Sequence, residues 1–177
     1  IGMAVIYRLN SGEAIKQLAW FSVGIIAFII LVVAIPDVRD FAKYKKIYLI
    51  MTIVIMPMAL LAHQETYGAT NWVTIKGLGG FQPSEFGKIT FILYLAAVLK
   101  EYEDKNNIVE DLKQLWQPAL VVAFCLGCLV GQKDLGSALI FFGIALTMVY
   151  VATGKKKYVI ICFALFIMGS FIAYHLF

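Results

Sequence analysis

Two short stretches of the sequence carry side chains that could do chemistry. One is Gln82-Pro83-Ser84-Glu85-Phe86-Gly87-Lys88, and the other is Gln132-Lys133-Asp134-Leu135-Gly136-Ser137. Lysines can neutralise phosphate charge, and acids can orient hydroxyls or hold a divalent cation, so such a set could handle a pyrophosphate or a sugar hydroxyl. Each acid also has a plainer role. Pro83 suits the first position of a helix and Glu85 the third, where a carboxylate faces the positive end of the macrodipole. Asp134 can cap a following helix through the amides of Gly136 or Ser137. Lys88 lies three residues beyond Glu85, on the same helical face. An ionisable pair inside an apolar run is costly and should point into a bundle or a water-filled cavity.

The elements that must hold these side chains are membrane helices. The 177 residues are 62% hydrophobic and only 15% charged, with a mean hydropathy of +0.85. A soluble domain carries about 25% charged and about 45–50% apolar residues, and one core cannot absorb such an excess. An ordinary soluble enzyme, a disordered tail and a disulfide scaffold are thereby excluded. The expected fold is all-α, a polytopic transmembrane bundle in a single domain over 1–177, because a bilayer forces every backbone polar group to pair internally. Apolar runs predict the end of one span at 1–7 and six full spans at 17–35, 47–62, 83–99, 115–131, 135–153 and 158–177. Pro57 should kink the second of these six spans, at 47–62. With Ile1 in place of an initiator methionine, and no signal peptide before the first apolar run, the chain reads as a piece of a longer protein.

Charge sets the orientation. Ten basic residues, among them Arg39, Lys45, Lys100 and Lys155-Lys156-Lys157, fall in alternate connections, against five in the others. The richer set should face the cytoplasm, so 8–16, 63–83 and 131–134 should face outward. Lys100–Lys113, with eight charges of both signs, reads as a solvated loop with a short surface helix. A net charge of +4 is too small for a nucleic-acid binder. Cys125 and Cys128 have redox spacing, but a membrane helix is a poor place for thiol exchange, so they read as packing residues. His63, Glu65 and His175 do not form a ligand set, and no metal site is expected from them. Met51, Met56 and Met58 read as core filling.

Gly68-Ala69-x-x-Trp72, then Gln82-Pro83-Ser84-Glu85-x-x-Lys88, then Gln132-x-Asp134-Leu135-Gly136-Ser137, resemble the SEDS family (RodA, FtsW and SpoVE). The resemblance implies a ten-span parent in the bacterial inner membrane that polymerises lipid II into peptidoglycan strands at its outer face. It also implies a class B penicillin-binding protein as partner, besides membrane lipid. An acceptor sugar 4-hydroxyl would attack the anomeric carbon of the donor glycan and displace undecaprenyl pyrophosphate. Glu85, Lys88 and Asp134 would line the cavity as substrate-binding residues, supported by Gln82, Ser84 and Trp72. The family's catalytic aspartate is expected beyond Phe177, and no cofactor is implied other than, at most, a divalent cation. The chain departs from the family pattern at Asn71, where Arg is common, and at Lys133, where Pro is usual.

The alternative function is a flippase for the same lipid-linked precursor, since transporters also place ionisable groups within the bilayer. A scaffold subunit is a third reading. The placement of Glu85, Lys88 and Asp134 at one face, with no matching polar set at the other, favours the enzyme.

Overall fold

Residues 2–34, 42–62, 69–75, 79–105 and 107–176 are described by the computed structural model. The chain forms two compact units, 1–40 and 41–177. The first holds α1 (Gly2–Leu9) and α2 (Ser11–Ala34). Asn10 separates them, and its Oδ1 accepts the amides of Gly12 at 3.0 Å and Glu13 at 3.3 Å. Two otherwise orphaned donors of the helix start are thereby satisfied.

The second unit begins with α3 (Lys45–Ile55) and α4 (Met58–Ala62). The break between them falls at Pro57, which lacks the N–H needed to continue a helix. Next come β1 (Val73–Ile75) and β2 (Gly79–Phe81), then α5 (Pro83–Leu99), α6 (Ile108–Gly131), α7 (Leu135–Thr153) and α8 (Lys156–Leu176). The two strands pair antiparallel, with Val73 opposite Phe81 and Thr74 opposite Gly80. This hairpin adds a small β element, not expected from the sequence, to a mostly helical fold. Val73-Thr74-Ile75 is a β-branched run too short to be a helix, and strand pairing satisfies its backbone instead.

A second correction concerns α6, which starts at Ile108, ahead of the expected 115. Asn107 accepts the amide of Val109 at 3.1 Å as the cap, and Glu110 and Asp111 follow in the first turn. Those acids complement the positive end of the helix. Residues 108–113 of the polar stretch are thus the first turns of a long helix and not a separate short surface helix.

The core of this unit is built from α3, α5, α6 and α7. Phe91, Tyr94, Leu95, Cys125, Leu129 and Phe141 are nearly or wholly buried there, and the rings of Phe91 and Phe141 lie 5.0 Å apart. Helices α3 and α5 approach closely at Gly87, where a Cβ would sit 2.6 Å from Met56 Sδ. Thr52 and Thr90 hydrogen-bond across the same contact at 2.9 Å. The outward faces remain apolar, with Ile50, Val54, Ile89, Leu120 and Leu139 exposed, as expected where lipid is the solvent. Among the described residues, four stretches are long and apolar enough to cross a membrane: Ser11–Ile30, Ala42–Ala62, Ile108–Gly131 and Leu135–Thr153.

Candidate functional site

The turn between α6 and α7 sets the geometry of the site. Lys133 has φ 58, in the left-handed region. Its amide donates to Val130 O at 2.9 Å, and the amide of Asp134 reaches back to Leu129 O at 3.0 Å. This pair of bonds is a Schellman ending. A proline at 133 could neither take that φ nor supply the donor, so Lys133 accompanies a turn that proline does not make.

Asp134 follows as the N-cap of α7. Its Oδ1 accepts the Ser137 amide at 2.9 Å, and its Oδ2 accepts Ser137 Oγ at 2.9 Å. The same Oδ2 accepts Asn71 Nδ2 at 2.8 Å and Gln82 Nε2 at 2.9 Å. Desolvation pushes the carboxyl up, but the bonds from Asn71, Ser137 and Gln82 together outweigh it and hold it below its ordinary value of 3.8. Asp134 is therefore an ionised cap gripped by neutral donors. Those four bonds occupy most of the carboxylate's acceptor capacity, so a divalent cation does not fit on it. Among the described residues, no three His, Cys, Asp or Glu side chains gather to hold a metal.

Gln82 joins the two motifs. It is the N-cap residue of α5, with Pro83 following, and its carbonyl accepts the Glu85 amide at 3.1 Å while its side chain grips Asp134. The Glu85 carboxylate makes no cap bond of its own kind expected from its position and turns to Lys88 Nζ at 2.8 Å. Its side chain is 56% exposed and that of Lys88 21%. The pair thus lies at the surface of this unit, not inside the bundle. The reason is the periodicity of α5, whose buried stripe runs through Ser84, Gly87, Phe91 and Tyr94 and leaves Glu85 beside it. Ser84 is buried within that stripe, away from the surface of the pair. Trp72 is exposed, and its ring covers Gly80, where a Cβ would lie 3.2 Å from Cε3.

An apolar groove of about 500 Å³ runs beside the same helix starts, lined by Met51, Ile55, Met58, Phe81, Phe86, Ile89 and Thr90. Phe81 and Phe86 meet edge to face at 5.9 Å. Two residues that were not expected to act also belong here. Asn71 holds Asp134 directly, and Gln132 is almost wholly buried with Nε2 donating to Met56 O at 2.7 Å. Asn71 stood out in sequence only as a departure from a pattern, and Gln132 only as a motif letter. His63, Glu65, Gly68 and Lys76 lie outside the described residues.

At the other end of the helices a second polar cluster has formed. Asp111 has no exposed surface, and its Oδ2 accepts Tyr158 OH at 2.6 Å and Lys155 Nζ at 2.5 Å. Lys155 also reaches Asp104 at 2.5 Å, and these bonds, first to Asp104 and then to Asp111, raise its pKa. Lys45 pairs with Glu101 there. The absence of a polar set at this end, expected from the sequence, is therefore corrected.

Apolar outward faces, a broken helix and a polar cap at one end define a polytopic helical membrane protein with a built site among its helix termini. The chain belongs to the family of cell cycle proteins that comprises FtsW, RodA and SpoVE, whose profile matches residues 4–177. It is 30% identical over 199 residues to the peptidoglycan glycosyltransferase RodA of Mycobacterium tuberculosis (strain ATCC 25618 / H37Rv), covering all of this chain and 42% of that protein. A probable peptidoglycan glycosyltransferase FtsW of Geobacter metallireducens is 35% identical over 94 residues, covering 52% of this chain and 24% of that one. The chain thus spans less than half the length of these relatives. The crystal structure of Thermus thermophilus RodA shares the fold at a TM-score of 0.73 and 22% identity, over 94% of this chain and 54% of that one. A structure of a peptidoglycan synthase complex that coordinates polymerization and crosslinking matches with the same TM-score over 97% of this chain and 48% of that one.

Proposed function

We propose that the full-length protein is a peptidoglycan glycosyltransferase of the bacterial inner membrane that polymerises lipid II at its outer face. The observation that carries this reading is a site of matching chemistry in a chain of this family: an ion pair, a fixed carboxylate and an apolar groove on adjoining elements. Lys88 meets the pyrophosphate oxygens, a charge-assisted contact that strengthens as the leaving group gains charge. Glu85 orients Lys88 or a sugar hydroxyl. The groove takes the polyprenyl tail through packing and shape, since the tail leaves lipid and not water and no hydrophobic transfer drives it. Asp134 organises the floor of the site. An acid already held ionised by four donors is a weak base, which fits a parent whose proton acceptor comes from beyond Phe177.

This reading includes six spans plus the end of another in this chain, within a ten-span parent. It places residues 69–72, the hairpin and the α6–α7 turn outside, following the asymmetry of basic residues. It also includes a class B penicillin-binding protein as the cross-linking partner. Support for that partner comes from the peptidoglycan synthase complex of similar fold.

The test is lipid II polymerisation by the purified full-length protein and by its Glu85→Gln/Lys88→Met double variant. The variant should stay folded, since a salt bridge at the surface contributes little to stability, yet make no glycan. A folded and fully active variant would end the role of the pair. Lipid II translocation without polymerisation by the unmodified protein would favour the flippase.

A further inference from the structure

We propose that Gln132 is a positioning residue that locks the two halves of the site together, and this rests on the glycosyltransferase reading. Three elements meet at it. Its Nε2 donates to Met56 O at 2.7 Å, at the break between α3 and α4. Its own carbonyl accepts the amide of Thr70 at 3.0 Å, next to Asn71, which holds Asp134. Asp134 itself lies two residues further along the same turn. Met56 completes the path, because its Sδ lies against Gly87, between Glu85 and Lys88. Gln132 thus ties the carboxylate half of the site to the ion-pair half through one backbone carbonyl.

The buried amide is satisfied on its donor side only. Gln132 is 1% exposed, and its Oε1 has no partner among the described residues. An apolar side chain of the same length would remove that unpaired acceptor but leave the Met56 carbonyl without its side-chain donor. What the amide supplies is a directed donor at the helix break. That carbonyl lies in the break between α3, which ends at Ile55, and α4, which starts at Met58.

The experiment uses the full-length protein with Gln132→Met, which keeps the length and loses the donor, and Gln132→Glu. Lipid II polymerisation by Gln132→Met should show kcat reduced about tenfold or more with KM within about twofold, as a small misplacement of positioned groups produces. A cysteine placed at position 70 should react about tenfold faster with an impermeant maleimide when Gln132→Met is present, read by mass on that peptide, while a cysteine at 105 should not change. In Gln132→Glu the ionised carboxylate opposes the Met56 carbonyl, whereas the protonated acid donates to it. Burial favours the protonated form, so protection at 70 should return on acidification from about pH 8 to about pH 6. Unchanged labelling at 70 in Gln132→Met, or equal loosening at 70 and 105, would overturn the proposal. If the unmodified protein makes no glycan, the functional reading fails while labelling and its pH dependence still decide the role of Gln132.

Discussion

Asp134 and Asp111 occupy opposite ends of the same helices, and the bundle holds them by different means. Asp134 is partly exposed and is held by two side-chain amides, a hydroxyl and a backbone amide, all neutral. Asp111 is wholly buried and is held by a lysine and a phenol. Neutral donors fix a carboxylate in direction and leave its charge uncancelled at the site. A lysine cancels the charge, which is what allows Asp111 to be fully enclosed. One end is built to present an acid and the other to bury one. The presented end adjoins the apolar groove and the Glu85–Lys88 pair, whereas the buried end joins α6, the 100–105 segment and the start of α8.

The contrast breaks first at Asp111. Replacing it with Leu removes the acceptor of Tyr158 and the buried one of the two carboxylates that hold Lys155, leaving only the more exposed Asp104. Loss of one member of a buried pair is strongly destabilising. The melting temperature of the full-length protein should fall by roughly 10 °C. The double variant Asp111→Leu/Lys155→Met should recover most of that loss, because an apolar replacement of both partners leaves no buried charge. A single variant that melts with the unmodified protein would show that the cluster is not a clamp. Lys155 does not limit this test at neutral pH. Its raised pKa means that its contribution is full below its ordinary 10.5 and is lost only as pH rises through the still higher folded value.

Asp134 should respond less in stability and more in function. Asp134→Asn keeps a cap oxygen for Ser137 but sets an amide against the donors of Asn71 and Gln82, at a cost of about 1–2 kcal/mol. Polymerisation should fall further than the melting temperature suggests, since charge as well as shape is lost. The sign of the pH effect follows from the lowered pKa. The stabilisation is present above 3.8 and disappears as pH falls through the lower folded value. The difference in melting between the parent and Asp134→Asn should therefore be flat from about pH 5 to about pH 8 and vanish in stronger acid. A difference that shrinks between pH 8 and 6 would show a carboxyl raised above its ordinary value, with desolvation outweighing the bonds from Asn71, Ser137 and Gln82.

The two ends were unequally legible in the sequence. Apolar runs, Pro57 and Pro83 mark helices and their interruptions through local chemistry, and the cap role of Asp134 follows from the small residues after it. The hairpin was missed because its three-residue strands look the same as an interfacial apolar segment. The bond from Asn71 spans 63 positions, and that from Lys155 to Asp111 spans 44. Neither leaves a periodic signal. Charges of both signs over 100–113 resemble a solvated surface until the fold supplies Lys45, Lys155 and Tyr158 as their partners.

The smallest effect should come from the turn that aims Asp134. Lys133 holds a left-handed φ of 58, which costs a residue with a Cβ about 1–2 kcal/mol. Lys133→Gly removes that strain but adds freedom to the unfolded chain, worth about 0.4–1 kcal/mol in the opposite direction. The net gain should lie between about zero and about 1.6 kcal/mol, seen as a slight rise in melting temperature. Polymerisation should be unchanged, because the Lys133 side chain is exposed and the backbone bonds to Val130 and Leu129 need no side chain. A clear loss of glycan synthesis in a stable Lys133→Gly protein would give Lys133 a charge-bearing role beside Lys88. The presented end would then be a site of two cations rather than one.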